Sequence, residues 1–374
     1  MRWVLLTIAL AFAALGLLTV FRIPDCINWK FSIIACQFGY LAAFVPLGIG
    51  LCAWFFVGDR GPLTISICSV SAAAVLLLAQ PCGQAWWIAR DLPARLRQSF
   101  GEAPVPREPY SFAGLFRPWP KAAPMTTWTY TGSLQLDFYP AFGRSLAPCV
   151  IVIHGGGWDD GDRGQLASFN YLLARDGFAV ADISYRLAPG ALWPAQRDDV
   201  AAAVAFVKQH AAGWGVDPRR LVILGRSAGG QIAEASGYSL HDPDIRGVVG
   251  LYGPSDMNFA WKYSSPDDAL NSPELMRRFL GGTPEQVPAN YDSASALLMV
   301  NSRTPPTLLV HGVIDTLVWY RHSVRLSARL TEAGVPNMLL SIPWGTHALE
   351  LNPSCPSGQL TAYSVEWFIA AVCR

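Results

Sequence analysis

Ser227, held between glycines at the end of an apolar run, is the residue of this chain best placed for nucleophilic chemistry. Residues 221–230 read LVILGRSAGG. Four apolar residues, then G-x-S-x-G, then Gln231-Ile232-Ala233 predict a buried strand, a sharp turn and a helix start, which holds a serine hydroxyl out for attack. The turn strains the serine backbone, so its neighbours must be small, and they are Gly225, Gly229 and Gly230. Serine is a poor nucleophile unless a base takes its proton, and the base must itself be oriented by a third group.

The chain supplies candidates for both roles. Of the six histidines, His210 closes an expected helix, His241 lies in a polar loop and His322 near a helix start, where a solvated side chain is the plain reading. His311 follows a strand but precedes the candidate acid and reads as structural. His347 follows the last expected strand, in a loop able to fold back over the serine, and is the candidate base. Asp315, after the strand at 307–310, is the candidate acid. Asp256, after the preceding strand, competes with it and otherwise belongs to a pocket rim. A third element is His154-Gly155-Gly156-Gly157-Trp158 after the continuous apolar run 149–153. Its glycines leave backbone N–H groups unobstructed, as stabilising a developing oxyanion requires.

These residues need a scaffold, and the patterning from Met125 onward describes one. Thr126–Thr131 and Leu134–Tyr139 alternate as strands and predict an edge hairpin around Gly132-Ser133. Strands at 149–153, 178–183, 221–225, 245–252, 307–310 and 338–342 are separated by helices at 166–175, 194–210, after Ser227, at 323–333 and, finally, 362–372. This alternation predicts an α/β fold whose mostly parallel central sheet carries helices on both faces. In such sheets the site lies at the carboxyl ends of the strands. Residues 253–304 break the rhythm as a loop-like excursion, either a lid or pocket wall or a plain surface insertion.

The first ninety residues differ in kind. The chain is 52% hydrophobic and only 15% charged, and the excess is concentrated in three runs, Trp3–Phe21, Phe31–Val57 and Leu63–Trp87, none containing Asp, Glu, Lys or Arg. Each is long enough for the ~20 residues of a membrane helix. Arg22, Asp25, Lys30, Asp59 and Arg60 fall in the breaks, and Trp29, Trp54, Trp86 and Trp87 gather at the ends as an interfacial belt does. The expectation is about three transmembrane helices over 1–89 and a multi-pass membrane location, with the bilayer as partner. Arg22, Lys30, Arg90, Arg95 and Arg97 on one side, against Arg2 and Arg60 on the other, favour a cytoplasmic C-terminal domain, while Arg2 before an apolar run favours the opposite orientation.

Residues 90–124, basic and rich in proline, read as a linker lying along headgroups, and 125–374 as the catalytic domain. Of the eight cysteines, Cys355 and Cys373 would tie down the last helix by a bridge if that domain sits in an oxidising compartment and their sulfurs meet. No pair has metal-site spacing, no metal or cofactor is implied, and a net charge of +1 offers no case for nucleic acid. The oligomeric state is not legible.

Taken together, HGGGW, SYRLAP, GRSAGG, YGPSDM, HGVIDTLV and GTH resemble the α/β-hydrolase esterases of the hormone-sensitive-lipase and carboxylesterase type, over about Leu134 to the C-terminus. The order Ser227, Asp315, His347 is also that of the α/β-hydrolase fold. HGGGW is similar to arylformamidases as well, and a membrane-anchored hydrolase with these motifs is similar to isoprenylcysteine methylesterases. The resemblance implies oxyanion donors at the N–H groups of Gly156, Gly157 and Ala228, and cleavage of a small-molecule carboxylic ester through an acyl-enzyme, with no cofactor; a lipid-like ester is expected from the membrane anchor alone. Acyl length would follow from the pocket around Trp158, Trp193 and the 253–304 insertion. Arg226 stands where this group usually has Asp, and Gly190 where Glu is common. Amide cleavage on the same residues, and a non-catalytic membrane scaffold of this fold, remain the alternatives.

Overall fold

The computed structural model describes residues 1–23, 25–56, 60–105, 107–118, 125–143 and 145–374. Val57, Asp59, Pro106, Pro120, Lys121 and Pro124, assigned above to an apolar run, a break or the linker, lie outside the described residues. Four helices open the chain: α1 (Arg2–Leu17), α2 (Cys26–Ala42), α3 (Phe44–Phe56) and α4 (Pro62–Phe100).

They do not form the three spans expected over 3–21, 31–57 and 63–87. α1 has 16 residues, about 24 Å at 1.5 Å per residue and short of a ~30 Å hydrocarbon core. The second run is continuous in composition but not in direction, because α2 and α3 are bent by 48° at their junction. Among the described residues one helix, α4, is long and apolar enough to cross a membrane, or up to two spans if the bent pair counts as one.

The linker expectation changes too. Arg90, Arg95 and Arg97 lie within α4, which runs to Phe100 and contains Pro93. Leu92 and Leu96 of this stretch are fully buried in the core that also holds Trp367 and Phe368 of the last helix. That burial outweighs the helix-breaking tendency of a proline. Arg107 farther on is ion-paired with Asp176 and Glu366, so this part of the chain is fastened to the C-terminal domain.

That domain begins with β1 (Thr126–Thr131) and β2 (Leu134–Tyr139), the antiparallel hairpin at the sheet edge. β3 (Ala147–Ile153), α5 (Ala167–Arg175), β4 (Ala179–Ile183), α6 (Ala195–Trp214), β5 (Val216–Arg226), α7 (Ala228–Ser239) and β6 (Ile245–Leu251) follow. Four short helices, α8 (Met257–Tyr263), α9 (Ser272–Leu280), α10 (Pro288–Ser293) and α11 (Ala296–Met299), occupy the stretch expected to be loop. β7 (Thr307–Gly312), α12 (Arg321–Glu332), β8 (Asn337–Ile342) and α13 (Pro356–Val372) complete the chain.

The eight strands form one sheet in the order β1-β2-β4-β3-β5-β6-β7-β8. β2 pairs antiparallel with β4, and every pairing from β4 to β8 is parallel. Alternating side chains of the parallel strands feed two cores, as the period of two requires. Val150, Val152, Val222 and Leu224 point to the face covered by α5, α13 and the second half of α4. Ile151, Ile153, Leu221 and Ile223 point to the face covered by α6 and α7. Cys355 and Cys373 are buried free thiols, so the last helix is held by packing and not by a bridge.

Candidate active site

β5 delivers Ser227 to the carboxyl edge of the sheet and α7 begins at the next residue. The serine sits at φ 54°, ψ −121°, a left-handed conformation that a side chain other than glycine adopts only under strain. Close approach explains the flanking glycines. A Cβ on Gly229 would overlap the carbonyl oxygens of Ile153 and His154, and one on Gly225 would overlap that of Gly229. Gly229→Ala is therefore expected to destabilise the fold by roughly 1–3 kcal/mol through overpacking. Thermal unfolding in detergent checks this; an unchanged midpoint would mean that the turn relaxes freely.

His347 follows β8 and brings its Nε2 to 2.8 Å from Ser227 Oγ, while its Nδ1 lies 2.8 Å from Asp315 Oδ2. Because Nδ1 faces a carboxylate it carries the proton, and Nε2 presents its lone pair to the serine hydroxyl. Asp315 is fully buried in the turn after β7. Its Oδ1 accepts the N–H groups of Leu317 at 2.8 Å and Val318 at 3.0 Å. Burial alone would raise its pKa, but the charge and hydrogen bonds of His347 and His311 outweigh it and hold the carboxyl well below its ordinary value.

His311, read from the sequence as structural, lies against this acid. Its Nε2 faces Val318 O at 3.0 Å and Asp315 Oδ2 at 3.3 Å, and its Nδ1 faces Ser323 Oγ at 2.7 Å. Facing a backbone carbonyl, Nε2 is a donor, so a second imidazole N–H lies near Asp315 Oδ2, the oxygen that also faces His347. Asp256 is engaged elsewhere: it caps α8 by accepting the Phe259 N–H at 3.0 Å and pairs with Arg325 at 2.6 Å.

The glycine loop closes the other side of the serine. Gly155 N–H is taken by Gln165 Oε1 at 2.8 Å. Among the described residues no acceptor is bonded to the N–H groups of Gly156, Gly157 or Ala228, and all three residues line the same cavity as Ser227 and His347. Gly156 and Gly157 have φ of 121° and 61°, which turns the loop back on itself. The cavity holds about 790 Å³, the size of a drug-sized ligand site.

Phe259, Tyr263, Leu270, Leu275 and Met276 of the 253–304 insertion form one cavity wall, and Arg278 ties α9 to Asp159 of the glycine loop at 2.7 Å. Trp158 lines the cavity, stacked on Phe279 at 4.6 Å with its Nε1 bonded to Gln231. Trp193 does not line it. It lies on the far side of Phe279 with its Nε1 on Ser293 Oγ, in the buried core, because a large apolar side chain next to an insertion is buried as readily behind a pocket wall as in it.

Two sets of contacts escaped the motifs. Arg226 and Glu350 are a fully buried ion pair, with Nε to Oε1 at 3.1 Å. Glu350 also accepts the Tyr252 hydroxyl at 2.6 Å, and Arg226 reaches Asn170. The residue preceding the nucleophile is thereby joined to the loop carrying His347. The second set comes from α2, where Gln37 donates to Ala348 O and accepts the Asn352 N–H, both at 2.8 Å. Arg22 and Trp29 line the cavity as well. An imidazole ordered in this way can take a proton from the serine hydroxyl, and free N–H groups nearby can hold the negative oxygen that results.

A sequence profile described as BD-FAE matches residues 136–330. The chain is similar to Esterase LipC of Mycobacterium tuberculosis (strain ATCC 25618 / H37Rv), 28% identical over 61% of this chain and 59% of the relative. It is also similar to the Probable carboxylic ester hydrolase LipM of the same organism, 29% identical over 60% and 54%. The chain thus spans a little over half the length of the curated relatives it matches. Among solved structures, a truncated form of carbohydrate esterase from gut microbiota superposes with a TM-score of 0.57 at 26% identity, covering 67% of this chain and 97% of the other. A bacterial heroin esterase, at 23% identity and a TM-score of 0.59 over 67% and 84%, shares the fold. With the strand order above, these matches give an α/β-hydrolase fold, and since the profile covers more than half of the sequence, the chain belongs to the BD-FAE family.

Proposed function

We propose that this protein hydrolyses carboxylic esters through an acyl-enzyme on Ser227. The observation that carries the reading is the 2.8 Å approach of His347 Nε2 to Ser227 Oγ with Asp315 on the far nitrogen. The similarity to proteins named esterases supports it.

Ser227 Oγ attacks the ester carbonyl as His347 Nε2 takes its proton, and Asp315 stabilises the imidazolium that forms. The N–H groups of Gly156, Gly157 and Ala228 receive the carbonyl oxygen as it gains charge. Collapse expels the alcohol, which takes the proton from His347 and leaves the acyl group on Ser227. Water then gives a proton to His347 and attacks the acyl carbon, and the acid departs as Ser227 regains its proton. The net reaction is ester plus water to carboxylic acid plus alcohol.

The apolar helices hold this enzyme at a membrane, with α4 as the crossing element. Arg90, Arg95 and Arg97 lie in the second half of α4, on the side of the catalytic domain, while Arg60 stands just before its first turn, so the positive-inside bias puts the domain in the cytoplasm.

Hydrolysis of p-nitrophenyl esters by the full-length protein in detergent tests the reading. Asp315→Asn is expected to lower kcat by about 10³–10⁴-fold, because the imidazole loses the partner that fixes its tautomer. Asp256→Asn is expected to change kcat by less than about 3-fold, because its cap on α8 and its pair with Arg325 lie outside the contacts of Ser227 and His347. The reverse pattern would transfer the acid role to Asp256. Absence of ester and aryl formamide cleavage alike would favour the scaffold alternative.

A further inference from the structure

α2 packs on the loop after His347 and on its neighbouring helices, and leaves an apolar stripe exposed. Its buried face carries Ser32, Ala35 and Cys36, and Gln37, at the edge of that face, is clamped to the loop after His347. Its outer face carries Ile27, Phe31, Ile34 and Leu41, exposed by 73%, 50%, 48% and 43%, at spacings that align them on one side of a helix. An outward apolar stripe on a helix that is already packed on its inner side marks a surface that water does not cover well.

The neighbouring helices expose apolar side chains as well. Trp3 and Val4 of α1, Phe55 and Phe56 of α3, and Leu76 and Trp87 of α4 are all exposed. No Asp, Glu, Lys or Arg occurs between Phe31 and Phe56 or between Leu63 and Ala89. The charges begin at the ends, where Arg60 lies over Trp54 at 4.7 Å and Arg90 over Trp86 and Trp87 at 5.1 Å. Apolar side chains on several separate helices, bounded by arginine on tryptophan, fit a bilayer with its interfacial belt better than a second protein copy, which covers one patch.

The cavity reaches these helices. Arg22 and Trp29, in and beside the α1–α2 connection, line the cavity that holds Ser227. Arg22 donates to Thr316 O at 3.4 Å, and the Trp29 ring stands edge-on to His347 at 6.5 Å. Phe259, Leu270 and Leu275 give the same cavity an apolar wall.

We propose that the outer face of α2, with α1, α3 and the first half of α4, lies in a lipid bilayer, and that the substrate is a bilayer-resident ester with a long hydrocarbon chain, taken up at Arg22 and Trp29. This rests on the hydrolase reading above. The polar end of the ester meets the entrance while its chain passes from lipid to the apolar wall without crossing water.

The test uses full-length protein reconstituted in phosphatidylcholine vesicles, with p-nitrophenyl palmitate dissolved in the lipid and p-nitrophenyl acetate in the water. The expected result is that palmitate is turned over at least about tenfold faster than acetate at equal total concentration, since each buried methylene adds to the preference for lipid. In Phe31→Glu/Ile34→Glu, palmitate turnover is expected to fall at least about tenfold, while acetate turnover and fluorophosphonate labelling of Ser227 stay within about twofold, because charge opposes insertion without touching the site. Ile27→Gln, at the most exposed position, is the milder variant to read if the double variant loses its label.

Faster acetate than palmitate hydrolysis by the wild type would overturn the proposal. So would unchanged palmitate turnover in the double variant, an equal loss of both activities in labelled Ile27→Gln, or a lipid-free dimer with full palmitate activity. If neither ester is cleaved, the hydrolase reading itself fails; if acetate cleavage depends on Ser227 but palmitate is not preferred, only this inference fails.

Discussion

Ser227→Ala is expected to reduce kcat for p-nitrophenyl esters by roughly 10⁴–10⁶-fold, the loss seen when a nucleophile that acts as one unit with its base is removed. The magnitude follows from the geometry. His347 Nε2 at 2.8 Å has the serine hydroxyl as its hydrogen-bond partner, and without it the oriented imidazole can only activate water from a position not built for it. What survives comes from the N–H groups of Gly156, Gly157 and Ala228 and from binding. The variant should unfold within a few degrees of wild type, because a small side chain in the same backbone conformation replaces Ser227. Unchanged activity would remove Ser227 from the mechanism; a large drop in melting temperature would make the activity loss structural.

Glu350→Ala is expected to cost about 3–5 kcal/mol of stability, the largest effect of any substitution outside the reacting atoms. Arg226 and Glu350 are 1% and 0% exposed in their side chains, so removing the carboxylate leaves a guanidinium buried without its counter-charge. The Tyr252 hydroxyl loses its acceptor in the same step. Replacing both partners by apolar residues, as in Arg226→Met/Glu350→Leu, is expected to restore most of the loss, since a buried ion pair stabilises little over well-packed apolar side chains. Denaturant unfolding of the two single variants and the double variant forms a cycle that isolates the pair. A Glu350→Ala cost below about 1 kcal/mol would mean that water or a neighbour already shields Arg226.

The residues with chemistry at their tips were the most legible part of the chain. Ser227 and the glycines around it follow from steric need, and Asp315 and His347 from their place after successive strands; the structure brings all three within hydrogen-bond reach. The parallel strands were readable because each is a short apolar run between turns, and the edge hairpin because it alternates. Side chains whose partners are distant in sequence were not readable. Arg226 looked like a departure from pattern until Glu350, 124 residues away, proved to be its counter-charge. His311 looked structural because nothing local reveals that Asp315 has two imidazoles.

The largest differences lie at the front of the chain, where composition and direction part company. Hydropathy registers the apolar run 31–57 but not the 48° bend within it. It registers prolines at 93 and beyond, but not the core that takes Leu92 and Leu96. Gln37 was invisible for a related reason: a lone amide in an apolar segment carries no pattern, and its partners at Ala348 and Asn352 lie more than three hundred residues away. The insertion 253–304 is polar in sequence but helical in structure, because its apolar residues, Met276 and Phe279 among them, are spaced to bury one face over Trp158.

The most direct test of the central claim is the trapping of the covalent intermediate. The purified full-length protein is mixed with p-nitrophenyl acetate, quenched in acid within the first turnover, digested and analysed by mass spectrometry. An acetyl group on the peptide that carries Ser227, absent in Ser227→Ala, is the expected result. Release of p-nitrophenol with no acetylated Ser227, or acetylation of another residue that persists in Ser227→Ala, would contradict the account.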